Sequence, residues 1–195
     1  MTGWEETEMM YKTLERQLVA HCAPTLASLK TANLFSYQYA SDKKLFEAVN
    51  FWNRCMEEKG ISLAVLRKNK GKALIYVYRT SQLKKDLSRE EAVRFMKECG
   101  YSNTETDLAI RALIRKLHKN PEFPHEIGMF LGYPLEDVIG FIQNEGHNSK
   151  CIGYWKVYGD ETTAKRTFAK FNKCRDVYMR LWNQGRSVLQ LTVAA

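Results

Sequence analysis

The sequence has no apolar run that approaches the roughly 20 residues needed to span a bilayer. Its start, MTGWEE, also lacks the basic segment and the apolar stretch of an export signal. We therefore expect a cytoplasmic protein without a membrane partner.

Short motifs of the familiar enzyme classes are also missing. The sequence contains no phosphate-binding glycine loop, no dinucleotide fingerprint, no HExxH and no GxSxG. It has no CxxC pair, and its four histidines do not fall into a zinc-finger spacing. These absences disfavour the enzymes that such motifs identify and lead us to predict no metal site.

Cysteines are few, and their arrangement does not suggest a disulfide framework. Their number, five, is odd, and they are widely spaced in a chain without an export signal. We expect reduced thiols. The residues are Cys22, Cys55, Cys99, Cys151 and Cys174.

Acidic residues are outnumbered by basic ones, 22 against 30, so the formal net charge is +8 at pH 7. This excess favours an anionic partner such as nucleic acid, a small anionic ligand or an acidic protein. Because the basic residues are spread along the chain, a solvated basic surface explains them as well. The hydrophobic content of 45% is typical of a chain that folds.

Helical and strand patterns alternate along the chain without a regular βαβ order. The clearest signal is a hairpin, in which two β-rich runs flank Lys70 and Gly71. Capping residues predict helices that begin near Ser88 and Thr104, and Pro121 ends the second of these. Helices are predicted over residues 5–20, 42–59, 88–99, 104–119, 125–145 as two short segments, and 160–184, and strands over residues 33–37, 63–67, 73–78, 153–158 and 188–191.

These elements predict an α+β fold. We expect a small mixed sheet of about four or five strands with several helices packed on it. No repeat, low-complexity tract or linker divides the chain, so a single domain over residues 1–195 is expected.

Two strings stand out in the second half of the chain: HEIGMFLGYPLEDVIGFI over residues 125–142 and GYWKVYGD over residues 153–160. They resemble a family of anaerobic bacterial proteins that is known only as a domain of unknown function. The string HCAP at residues 21–24, with Lys30 and Asn33, is similar to the N-terminal part of that family, so the resemblance covers nearly the whole chain. It implies a link to iron, haem or flavin metabolism and supplies no reaction, cofactor or catalytic residue.

The second string contains a candidate ligand site. If residues 153–158 form a strand, Tyr154, Lys156 and Tyr158 share one face, which is aromatic with a central cation. Glycines at both ends allow close backbone approach, and such a face suits a small anionic or flat aromatic ligand. Sheet core and surface aromatics are the structural alternative.

His125 and Glu126 follow Pro124 at the predicted start of a short helix. An imidazole and a carboxylate could act there as a base or as ligands, which makes a small enzyme the second hypothesis. A cysteine is the alternative nucleophile. A helix start and an exposed histidine explain the same pair without chemistry, so the catalytic residues are unknown.

Residues 127–142 also have the pattern of a helix-turn-helix, which makes a nucleic-acid binder the third hypothesis. The second helix would present Glu136, Asp137, Gly140 and Gln143 on its exposed side. Because two carboxylates repel a phosphate backbone, a structural helical hairpin is the alternative that we favour.

The last long helix has an excess of basic residues. They favour an acidic partner protein, and a solvated surface explains them too. The residues are Lys165, Arg166, Lys170, Lys173, Arg175 and Arg180.

The leading hypothesis is a cytoplasmic binding or accessory protein for a small anionic or aromatic ligand. Its candidate site consists of Tyr154, Lys156, Tyr158, His125 and Glu126.

Overall fold

The predicted hairpin is present in the computed structural model of the chain, which describes residues 3–120 and 122–194, with side chains from residue 11 onward. The fold is α+β. The chain divides into two compact units, Met1–Thr80 with Cys174–Ala195, called the terminal unit, and Ser81–Lys173, called the central unit. That the units make a single domain stays a prediction.

The helices and strands follow one another without a repeating order. They are α1 (Gly3–Leu26), β1 (Ala32–Gln38), α2 (Asp42–Met56), a 3-10 turn (Glu57–Lys59), β2 (Ile61–Asn69), β3 (Lys72–Arg79), α3 (Thr80–Leu87), α4 (Glu90–Glu98), α5 (Thr106–Lys119), α6 (Ile127–Phe130), α7 (Leu135–Gln143), β4 (Cys151–Ile152), β5 (Lys156–Val157), α8 (Glu161–Asn183) and α9 (Val188–Leu191).

The terminal unit is built on an antiparallel sheet in the order β1-β3-β2. The two-residue turn between β2 and β3 has φ angles of 45° at Lys70 and 76° at Gly71, the left-handed geometry that suits a tight hairpin. On the core face of the sheet, alternate residues such as Phe35 and Ile75 pack against buried residues of α1 and α2. Leu18 of α1, which the helical spacing predicts to be buried, belongs to this core.

Arg79, at the end of β3, is 1% exposed and is satisfied by backbone carbonyls. Its Nε donates to the carbonyl of Thr25 at 2.7 Å, and its Nη2 donates to those of Leu26 at 2.8 Å and Val193 at 2.7 Å. A cation is favoured at the carbonyl end of a helix, because the unpaired carbonyls there carry partial negative charge. Arg79 therefore ties the end of α1 to the sheet and to the C-terminal segment.

Lys30 is a second buried cation, with 5% of its surface exposed. It follows the end of α1, where Ser28 has a φ of 59° and the carbonyl of Pro24 accepts from the N–H of Lys30 at 3.1 Å. The Lys30 Nζ donates to the carbonyl of Ala32. Burial lowers the pKa of Lys30 to about 7, because the charged form loses its hydration.

The central unit is mainly helical, with one short ribbon of β4 and β5 that pairs Cys151 with Val157 and Ile152 with Lys156. The α+β class is thus confirmed, whereas the strands form a three-stranded and a two-stranded antiparallel sheet in place of one mixed sheet. No helix in the described ranges combines the length and the apolar character needed to cross a membrane.

The strand predicted over residues 188–191 is wrong, since this segment is the helix α9. The Oγ of Ser187 accepts from the N–H of Gln190 at 3.3 Å, and the Oε1 of Gln190 accepts from the N–H of Ser187 at 3.0 Å. This capping box starts a helix and overrides the β propensity of Val188 and Leu191, which turn to the core three residues apart.

Helix boundaries also differ from the predicted ones. The first helix passes Ala20 and ends at Leu26, with Pro24 inside its last turn. Ser88 does not cap a helix, because its Oγ donates back to the carbonyl of Lys85 at 3.0 Å. The helix α3, which directly follows β3, has no counterpart among the predicted elements, and the predicted break at Pro121 lies outside the described residues.

The lowered pKa of Lys30 predicts how stability changes with pH. Between pH 7 and 9 the unfolded chain keeps the Lys30 proton that the folded chain releases, so this residue contributes a rise in the free energy of unfolding with pH, whereas the buried thiols, whose pKa values are raised, contribute a fall. The expected rise is at most about 1.4 kcal/mol per pH unit. The Lys30→Met variant lacks this contribution, so its slope with pH should be lower than the wild-type slope by up to this amount. Urea denaturation at pH 7, 8 and 9 measures it, with Lys72→Met at an exposed position as the control. Equal slopes for wild type and Lys30→Met would contradict the buried, proton-releasing amine.

Candidate ligand-binding site

Aromatic and ionisable side chains surround a cavity of about 350 Å³ in the central unit. Ligand pockets commonly measure about 300–1,000 Å³, so this one has the size for a small molecule. The side chains that decide its chemistry are His125, Tyr133, Asp137, Phe141, Trp155 and Lys156.

Asp137 holds the walls of the cavity together. It lies in the first turn of α7 and is 3% exposed. Its Oδ2 accepts from the Nε1 of Trp155 at 2.7 Å, and its Oδ1 accepts from the N–H groups of Tyr158 at 2.7 Å and Gly159 at 2.8 Å. The carboxylate thereby fixes both the indole and the backbone that follows β5.

Two glycines allow the ribbon to lie directly on its neighbours. A Cβ at Gly153, between β4 and β5, would lie 2.2 Å from the ring of Phe168 in α8. A Cβ at Gly140 in α7 would lie 2.5 Å from the Cβ of Tyr158. Since real Cβ atoms do not approach so closely, the position of the ribbon depends on glycine at both sites.

One wall of the cavity is a set of packed rings. The ring centres of Tyr133 and Trp155 are 5.0 Å apart, and Trp155 meets Phe168 edge to face at 4.6 Å. The hydroxyl of Tyr133 donates to the carbonyl of Tyr154 at 3.0 Å, and burial raises the pKa of Tyr133 to about 12. The two rings that line the cavity, Tyr133 and Trp155, are thus both oriented by hydrogen bonds, which makes this wall preformed.

Phe141 is in contact with two further side chains of the lining, Lys156 and His125. The Lys156 Nζ is 5.6 Å from the centre of its ring, and the ring of His125 is 5.1 Å from it. Lys156 also donates to the carbonyl of Gly146 at 2.7 Å. Phe141 is four residues, about one helical turn or roughly 6 Å, further along α7 than Asp137, so Lys156 and His125 contact the lining one turn away from the carboxylate.

The predicted tyrosine–lysine face is wrong, because residues 153–158 do not form one strand. Lys156 and Val157 pair back onto Cys151 and Ile152, so the chain reverses at residues 153–155. Strict alternation of side chains is lost in that turn. Of the three residues, Lys156 lines the cavity.

Tyr154 and Tyr158 serve packing around the ribbon. Tyr154 stacks edge to face on Phe171 at 5.0 Å, and its hydroxyl donates to the Oδ1 of Asn172 at 3.2 Å. The hydroxyl of Tyr158 is buried and has no hydrogen-bond partner in the described part of the chain. Burial is the main cause that raises the pKa of Tyr158, and the negative charge of the nearby Asp137 raises it further.

The side chains of Glu126 and His125 lie in different environments, although the residues are adjacent in the chain. Glu126 is 7% exposed, and its Oε1 lies 2.6 Å from the Nζ of Lys116 and accepts from the hydroxyl of Tyr101 at 3.3 Å. Burial, with Glu126 as the next cause, raises the pKa of Tyr101, so the phenol stays a neutral donor. His125 lines the cavity, whereas Glu126 belongs to a buried ion pair outside it.

The cysteines that have shifted pKa values are poor nucleophiles. Burial raises the pKa of the thiols of Cys22 and Cys99 and raises that of Cys174 to about 11. Since the thiolate is the reactive form, these side chains lack the activation that a catalytic cysteine needs. All five cysteines are free thiols, as the sequence predicts.

The described residues contain no group of three His, Cys, Asp or Glu side chains that could hold a metal ion. The helical hairpin of α6 and α7 is present, but α6 has only four residues. Asp137 and Gly140, which the sequence places on the exposed side of the second helix, are buried. The outer side of α7 keeps Glu136 and Gln143, so it offers no basic side chain to a phosphate.

Four important cavity residues were not among the candidate site residues: Tyr133, Asp137, Phe141 and Trp155. The acid at Asp137 is explained locally by the positive start of a helix, so nothing in the sequence marks it as buried. The one available signal is Trp155, because a buried indole N–H needs an acceptor elsewhere in the chain.

The fold and cavity define an α+β protein with a preformed aromatic pocket. The chain belongs to the family described as "Protein of unknown function (DUF3793)", whose model matches residues 18–192. This confirms the resemblance to a family of unknown function. No curated protein and no solved structure matches the chain.

The Asp137 contacts predict a measurable coupling with Trp155. In Asp137→Asn the amide NH₂ must face either the indole N–H or the two backbone N–H groups, whichever way it is turned. We expect the free energy of unfolding to fall by about 1–3 kcal/mol. When Trp155→Phe removes the indole donor, the amide oxygen can turn to the backbone, and the same substitution should cost less. Urea denaturation followed by circular dichroism gives the double-mutant cycle; strictly additive losses would contradict the coupling.

Proposed function

We propose that the chain is a binding protein whose cavity in the central unit takes a small, flat aromatic ligand. The observation that carries this proposal is the pocket of about 350 Å³ with Tyr133, Phe141 and Trp155 in its walls. Aromatic side chains favour offset or edge-to-face contact with another ring, and a pocket formed in advance loses little entropy on binding.

The size of the pocket narrows the ligand. A volume of about 350 Å³ suits one compact ring system better than a haem macrocycle. Within the proposed link to iron, haem or flavin metabolism, the pocket therefore favours flavin-like or smaller rings. A cytoplasmic location and an anaerobic-bacterial origin are part of the same proposal.

Other proposals receive less support from the contacts. A small enzyme would need His125 to act without Glu126, which is held by Lys116 at 2.6 Å. A nucleic-acid binder would need basic groups on α7. An acidic partner protein for the basic side chains of α8 remains a separate proposal, for which the charge of that helix is the support.

Removal of one wall tests the proposal. Phe141→Ala should weaken binding of an aromatic ligand by about tenfold, since a ring contact contributes roughly 0.5–1.5 kcal/mol beyond its buried area. Ile142→Ala is the matched control, because Ile142 is the next residue of α7 and does not belong to the lining of the cavity. Melting temperatures with indole, riboflavin, FMN and haem, together with native mass spectrometry of the purified protein, provide the readout.

We expect an aromatic compound to bind or to co-purify with the wild type and with Ile142→Ala, and to be lost or weakened in Phe141→Ala. If no compound co-purifies and none of the four probes changes the melting temperature, the proposed function is wrong.

A further inference from the structure

We infer that the ligand of this cavity is an aromatic monoanion, a ring that carries one carboxylate, and that Lys156 is the residue that selects for this charge. This inference rests on the proposed function and specifies its ligand. The juxtaposition that carries it is a single ammonium group in the lining, beside Phe141, about one turn of α7 from Asp137, the buried carboxylate that fixes the indole of Trp155.

Lys156 is placed to meet an anion. It lines the cavity, and the carbonyl of Gly146, at 2.7 Å, uses one of its three N–H donors. The contact with Gly146 limits the movement of the long side chain, so less conformational entropy is lost when a ligand binds. The remaining donors can serve a carboxylate.

The charges around the cavity limit how much negative charge the ligand carries. Lys156 contributes one positive charge, and Asp137 contributes one negative charge beside the indole of Trp155. A second negative charge on the ligand would face Asp137 without a second lysine or arginine in the lining. A phosphate dianion is therefore disfavoured relative to a carboxylate.

The same charges orient the ligand. Because Asp137 repels an anion, the carboxylate of the ligand lies beside Phe141, about one turn of α7 from Asp137, where Lys156 and His125 contact the ring. The ring then lies toward Trp155 and Tyr133, whose centres are 5.0 Å apart. His125 is exposed, and its ring nitrogens offer a donor or an acceptor beside Phe141 in addition to the Lys156 ammonium group.

The test compares three probes of similar size: indole, indole-3-acetate and phenyl phosphate. Dissociation constants are measured by titration calorimetry for the wild type, Lys156→Met and Lys156→Arg. Lys150→Met is the matched control, because Lys150 lies beside the same ribbon and donates to the carbonyl of Gly159 at 2.6 Å, yet does not line the cavity.

We expect indole-3-acetate to bind the wild type about tenfold or more tightly than indole, as a charge-assisted hydrogen bond would give. Lys156→Met should remove this advantage while indole binding stays the same. Lys156→Arg should restore part of it, and Lys150→Met should behave as the wild type. Phenyl phosphate should bind more weakly than indole-3-acetate.

Three results would overturn the inference while the proposed function survives: equal binding of indole and indole-3-acetate, preference for phenyl phosphate, or an equal effect of Lys150→Met and Lys156→Met. If Lys156→Met weakens the binding of indole as much as that of indole-3-acetate, the lysine only shapes the pocket. Its proposed role in selecting a charged ligand is then also wrong. Failure of all three probes to bind the wild type overturns the inference, and it contradicts the proposed function itself only if riboflavin, FMN and haem also fail to change the melting temperature and nothing co-purifies.

Discussion

The buried carboxylate of Asp137 is the constraint on which the cavity depends. A charge that is 3% exposed is costly unless hydrogen bonds replace its hydration. Here one indole N–H and two backbone N–H groups do so, and the start of α7 adds a favourable field. A ribbon with two residues in each strand would not be stable alone. Asp137 thus converts a weak local element into a wall with a fixed aromatic ring.

The terminal unit handles buried charge in two other ways. Arg79 keeps its charge and distributes it over the carbonyls of Thr25, Leu26 and Val193 at the end of α1 and in the C-terminal segment. Lys30 has its pKa lowered to about 7, so burial is relieved by release of a proton. In both arrangements the buried side chain packs inside the unit and donates to backbone carbonyls at or just after the end of α1. In the central unit, by contrast, the ordered carboxylate of Asp137 lies in the lining of a pocket.

Local patterns were sufficient for most of the fold. The hairpin follows from a two-residue turn, because its geometry is decided by a few neighbouring residues. Residues 153–158 have a strand pattern as well, but Asp137, 18 positions from Trp155, and the ring of Phe168 set their path. Of the candidate site residues, His125 and Lys156 line the cavity. Tyr154, Tyr158 and Glu126 contact other partners, and no local signal distinguishes these two groups.

The cavity itself argues for an occupant. Apolar walls that stay open to solvent expose area that a bound ring would remove from water. A purely structural ribbon could be held by apolar side chains, without the desolvation of a carboxylate. Instead, Asp137 fixes an indole beside open space, and Ile152 at the cavity is 72% exposed. Apolar surface, oriented rings and one lysine in the same place are the features that small-molecule sites commonly combine.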